Sequence, residues 1–204
     1  YGTQSIPKVS KIFGPGNQYV TAAKQLVSMQ GTAIDMPAGP SELLVWADTA
    51  AEAAFVAADL LSQAEHGRDS QVILIVNSTQ IVDQVLACIE QQLPVLSSQK
   101  TARVALQNSR AIILDSEQRI VDFINLYAPE HLIINTKNAA SNAALISNAG
   151  SVFLGNFTPE SLGDYASGTN HTLPTNGYAT AYSGVSIDSF VRKITYQQAS
   201  RQGL

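Results

Sequence analysis

Val72-Ile73-Leu74-Ile75-Val76 is an unbroken aliphatic run, mostly β-branched, the pattern of a strand covered on both faces. On its amino side, residues 50–66 read as a helix rich in alanine and leucine. Nothing there breaks a helix, Asp48 or Thr49 can cap it, and Gly67 offers a stop. On its carboxyl side, residues 79–93 carry helical spacing and are closed by Pro94. The same beat continues in both directions. Strands are expected at 43–47, 111–114, 132–135 and 152–154, and helices at 100–107, 117–126 and 139–147. Continuous apolar strands alternating with amphipathic helices argue for an α/β layered fold with a mainly parallel sheet and helices on both faces.

The first 40 residues have a different texture. Residues 9–13 and 31–35 read as short strands around a helix at 19–27, and Gly14-Pro15-Gly16-Asn17 precedes that helix. A glycine turn at a helix N-terminus can hold an anion or a cofactor. It can equally be plain turn chemistry, with Asn17 as the N-cap. Met36-Pro37-Ala38-Gly39-Pro40 is too rich in proline and glycine for regular structure and reads as a crossing between lobes. The expected organisation is therefore a remnant of one lobe over 1–40, a main α/β lobe over 41–184, and the start of a helical segment over 185–204. In that last segment residues 187–202 put Phe190, Val191 and Ile194 on one helical face.

Composition excludes several classes. The chain has 204 residues with net charge −4 and no basic run, so the footprint of a nucleic-acid binder is absent. No apolar run approaches the roughly 18 residues of a membrane span, and no signal peptide is visible. Charged residues make up 14% against the usual roughly 25%, which fits a surface partly covered by other protein. The single cysteine, Cys88, lies in an apolar helical pattern and suits a reducing, cytoplasmic setting. The start at Tyr1 rather than Met is expected for a piece of something longer.

The candidate chemistry sits at the ends of elements. Gln63 and His66 are three apart, so they share the face of a last helical turn. Such a pair can grip a metal or a polar substrate, or His66 can simply be a histidine favoured by the helix dipole. Glu130-His131 sets a carboxylate and an imidazole side by side, both capable of acid–base work when their pKa values are tuned. Residues 158–175 form a polar loop, rich in glycine and small hydroxyls, that carries Asp164 and His171. Loops of that length are usually functional or disordered. Ligand sites in open α/β sheets lie at the carboxyl ends of strands, whereas His66 and His131 stand at helix-to-strand junctions, the opposite end.

Several segments together carry a resemblance. GPGN at 14–17, VTAAK at 20–24, IDMPAGPSE at 34–42, DLLSQAEHG at 59–67, YAPEHL at 127–132, GSVFLG at 150–155 and PESLGDYASGTNHTLPT at 159–175 resemble histidinol dehydrogenase, in the same order. The resemblance implies Rossmann-like lobes and oxidation of L-histidinol through L-histidinaldehyde to L-histidine, with two NAD and a zinc ion, in a homodimer. Carried over, Gln63, His66 and Asp164 would be zinc ligands. Glu130 would be the base that activates water, and His131 the acid–base for the alcohol and hydrate protons. Ser41 would contact the substrate with Gln63, His66, His131 and Asp164, His171 would lie near the substrate, and Asn17 would contact NAD. Members of the family are about twice this length, so the chain is expected to be a fragment, inactive alone, without the N-terminal half and without a C-terminal segment bearing one more zinc-ligating histidine. Two rival readings are a zinc hydrolase using Glu130 as general base, and a non-catalytic α/β binding module.

Overall fold

The computed structural model describes residues 2–165 and 167–203. Tyr1, Ala166 and Leu204, which the sequence reading assigns to the first lobe, the polar loop and the last segment, lie outside the described residues. Five parallel strands make the main sheet: β3 (Glu42–Ala47), β4 (Gln71–Val76), β5 (Arg110–Ile113), β6 (His131–Asn135) and β7 (Ser151–Leu154). Their order is β5-β4-β3-β6-β7, so the winding reverses between β3 and β6. The sheet is of the parallel α/β kind that the strand rhythm implies.

Alternation along each strand divides the core. Leu43, Val45 and Ala47 face a layer made by α2 (Ala53–Ala64), α3 (Thr79–Gln92) and α4 (Gln99–Gln107). Leu44 and Trp46 face α5 (Glu117–Tyr127) and α6 (Ala139–Ala143). Both faces of β3 and β4 are therefore dry, which is why those strands read as continuous apolar runs. β1 (Lys11–Ile12) and β2 (Ala33–Ile34) form a separate two-stranded parallel sheet, joined by α1 (Gln18–Ser28). Lys24 and Asp35 form a buried ion pair beneath the Gly14 turn. The Lys24 ammonium also donates to the Gly14 carbonyl at 2.7 Å, and the Gly14 N–H donates to Asp35 at 2.8 Å.

Some expectations need correction. The helix expected to end at His66 ends at Ala64, and His66 follows it in a turn. Neither Asp48 nor Thr49 caps that helix. Its N-cap is Glu52, without a side-chain bond, while Asp48 accepts from the Ala50 and Lys137 N–H groups. The helix expected over 139–147 stops at Ala143.

The helix expected over 187–202 is absent. Residues Ile187–Phe190 make a 3-10 turn and 191–200 are irregular. Phe190, Val191 and Ile194 are exposed. Helices of this length draw most of their stability from burying an apolar face, and here Val191 and Ile194 stay exposed. Phe190 instead stacks on Phe13 at 4.3 Å.

Candidate active site

The amino edge of the main sheet collects the polar residues. β3 and β6 start side by side, with Leu43 opposite His131. α5 ends at Ala128 in a left-handed turn, φ 51°, which lets Pro129 and Glu130 swing straight into β6. Gly150 fits tightly there, since a Cβ would stand 2.5 Å from the Glu130 carbonyl oxygen. α2 brings Gln63 to the same edge, and the turn at Glu160–Asp164 closes the far side. The result is a cavity of about 130 Å³ whose walls include Ser41, Gln63, His66, Glu130, His131 and Asp164, with His171 and Glu160 beside them. Three larger clefts, about 510, 170 and 620 Å³, have no histidine in their walls.

Gln63 is the anomaly. It is 1% exposed, and neither its amide nitrogen nor its oxygen has a hydrogen-bond partner. Buried polar groups are almost always paired, so an unmatched amide in a cavity wall marks a place for a ligand. His66 donates from Nδ1 to the Ser62 carbonyl at 2.8 Å. A carbonyl only accepts, so the hydrogen belongs on Nδ1 and the lone pair on Nε2, as in metal-ligating histidines. Asp164 lies 3.8 Å from the His171 ring. Among the described residues no three His, Cys, Asp or Glu side chains gather as a metal site by themselves. Asn17 does not line the cavity. Its side chain caps α1 by accepting from Tyr19 and Val20 at 3.1 and 3.2 Å.

The buried carboxyl groups shape the electrostatics. Glu130 Oε2 accepts the Glu42 N–H at 2.9 Å. Burial pushes the Glu130 carboxyl up to about 8 against that bond, helped by the negative charge of Glu42, Glu160 and Asp164. Burial also raises Glu42, and raises Asp59 to about 6. The His131 imidazole is pushed below its usual value by burial, against the pull of Glu160.

A carboxyl raised on folding binds protons in the native state that the unfolded chain has already lost, so stability falls as pH climbs towards the folded value. Above pH 7 the depressed imidazole adds only a small slope of opposite sign, since the unfolded imidazole has by then lost most of its protons. The metal-free chain is therefore expected to lose about 1 kcal/mol of stability between pH 7 and pH 8.5, and Glu130→Gln to flatten that loss. Urea melts at the two pH values measure it, and a flat wild-type profile would contradict the assignment.

Sequence reading gave no role to Glu42, Asp59 or Glu160. Asp59 was the available signal, an acid inside an alanine- and leucine-rich helix.

The histidinol dehydrogenase family model matches residues 1–204. The chain belongs to the histidinol dehydrogenase family. It is 60% identical over 204 residues to histidinol dehydrogenase of Bacteroides thetaiotaomicron, covering 100% of this chain and 48% of that protein. The Vibrio vulnificus enzyme is 56% identical over 206 residues, with 48% of its length covered. The crystal structure of histidinol dehydrogenase from Elizabethkingia anophelis superposes with a TM-score of 0.95 at 61% identity, over 99% of this chain and 47% of that one. The chain thus spans about half the length of the curated relatives it matches.

Proposed function

We propose that these 204 residues serve an NAD- and zinc-dependent oxidation of L-histidinol through L-histidinaldehyde to L-histidine, carried out by a full-length homodimeric enzyme in the cytoplasm. The observation that carries this reading, beside the family, is the unpaired Gln63 amide in a cavity wall shared with His66 and Asp164. Family membership disfavours the hydrolase and binding-module readings.

The residues present fit a zinc ion. Gln63 offers an amide oxygen, His66 a free Nε2, and Asp164 a carboxylate, leaving at least one position for a further group. When bound, zinc supplies Lewis-acid polarisation and orients the substrate.

The chain's own residues do the rest. His131 takes and returns the alcohol and hydrate protons. Glu130 draws a proton from water for the second oxidation, using Oε1, since Oε2 is held by the Glu42 N–H. Its raised pKa suits a base working near neutral pH. Ser41 and Gln63 hold the substrate. The Gly14–Asn17 turn lies at the NAD side, and residues 1–40 are the edge of a second lobe.

The full-length protein should reduce NAD when given histidinol, lose that activity to a chelator and recover it with zinc. Hydrolysis of an ester or amide without NAD reduction would favour the hydrolase instead.

A further inference from the structure

We propose that Glu160, held in place by Asp59 and Ser62 of α2, positions His131 so that Nε2 is the nitrogen that exchanges protons with the substrate; this rests on the oxidation reading above. The ring is gripped from one side by Nδ1, 3.2 Å from the main-chain oxygen of Glu42. A carbonyl has no hydrogen to give, so Nδ1 donates and carries one. Phe153 of β7 packs beside the ring, with centroids 6.1 Å apart. Nε2 is left as the site of exchange, and it faces Glu160 Oε1 at 3.5 Å.

Glu160 is well built for that place. It is 3% exposed. Its N–H donates to Asp59 Oδ1 at 3.2 Å, and the Ser62 hydroxyl lies 3.2 Å from its Oε2. The same hydroxyl lies 2.8 Å from the Asp59 carbonyl, so three residues of two elements form one anchored unit. Other charged or titratable groups surround the imidazole: Glu42 on β3, Glu130 before β6, Asp164 in the polar loop and His66 after α2. Among the described residues Glu160 alone places a carboxylate within 4 Å of Nε2; Glu130 lies on the Nδ1 side at 3.6 Å.

In the alcohol oxidation the substrate O–H bond breaks as an N–H bond forms at Nε2, while the hydride leaves carbon for the nicotinamide of NAD. The imidazolium so formed lies against the Glu160 carboxylate. In hydrolases a carboxylate steadies an imidazolium, without taking its proton, from the ring nitrogen that faces away from the substrate; Glu160 instead lies beside Nε2 itself, where the new positive charge forms. Glu160 acts through His131, so it is a positioning residue.

The test uses a full-length enzyme carrying this sequence, with zinc content and thermal melting checked for each variant. Glu160→Gln should lower kcat for histidinol about 10- to 100-fold, the range of such supporting partners, with KM within about threefold. Glu160→Asp, which restores the charge on a shorter arm, should recover part of the loss. Residues that act as a unit are non-additive, so Glu160→Gln combined with His131→Gln should be no slower than His131→Gln alone. A full multiplicative loss in the double variant would overturn the proposal. A fully active His131→Gln variant would overturn the acid–base reading instead, a different fingerprint that takes the proposal with it. Should Glu160→Gln fail to fold, histidine-selective ¹⁵N NMR of the unaltered enzyme decides. A neutral His131 ring with its hydrogen on Nδ1 supports the proposal, and one with its hydrogen on Nε2 overturns it.

Discussion

Glu130→Gln in the full-length enzyme is expected to slow oxidation of the aldehyde by about 10²- to 10⁴-fold, the usual worth of a general base, and to leave oxidation of the alcohol within a few-fold. The amide has nearly the same shape and can still accept the Glu42 N–H that fixes the carboxyl at 2.9 Å. It cannot take a proton from water. On the proposed reading the first oxidation needs no water, only the proton exchange assigned to His131, so the two half-reactions should separate. Feeding the enzyme histidinol or histidinaldehyde and following NADH in single-turnover mode distinguishes them. Equal slowing of both would remove Glu130 from the role of water-activating base.

The 204-residue chain by itself is expected to form no detectable NADH from histidinol, even with zinc added. Gln63, His66 and Asp164 share one cavity, yet no three His, Cys, Asp or Glu side chains among the described residues make a metal site by themselves. A site holding zinc through an amide, one imidazole and one carboxylate should bind it weakly. On the proposed reading NAD would find on this chain only the Gly14–Asn17 turn, where the Asn17 side chain is already committed to capping α1. Orientation of two bound reactants can account for roughly 7–11 kcal/mol of a barrier. Losing most of it puts turnover below detection while the sheet can stay folded. The assay is NADH formation by the purified chain, with circular dichroism to confirm that it is folded. Sustained turnover near that of a full-length relative would show that the chain holds the whole site.

What was legible in the sequence follows burial. β4 was readable to within one residue because Val72 to Val76 are buried on both faces, so nearly every position had to be aliphatic. The 187–202 stretch misled for the complementary reason. Its apolar spacing satisfies a helical template, but spacing cannot show whether a partner surface exists, and here Ile194 is 66% exposed.

The candidate site divides in the same way. Gln63 and His66 are neighbours in sequence and could be paired from it. Asp164 lies about a hundred residues further on; donor chemistry could only suggest it as their companion, and the resemblance made the link. Glu42 heads an apolar strand and looks like its polar margin. Its importance lies in the backbone, whose N–H reaches Glu130 and whose carbonyl reaches His131, and no side-chain motif records that. Placement at the amino edge of the sheet, contrary to the usual carboxyl-edge rule, comes from α2 and the 160–164 turn arriving there.

That placement keeps the candidate site's residues away from the other rim of the sheet. The strands rise about 3.3 Å per residue, so Ala47, Val76 and Asn135 end roughly 13–17 Å from the amino edge. Asn77, Asp115 and Lys137 lie on connections at that distant rim. A fluorophore, a surface tether or a short insertion joined there would ride on the scaffold's rigid strands while standing clear of every group that handles a proton. On the proposed reading this chain has a chemical end and a mechanical end, and a graft at the second is expected to leave the first undisturbed.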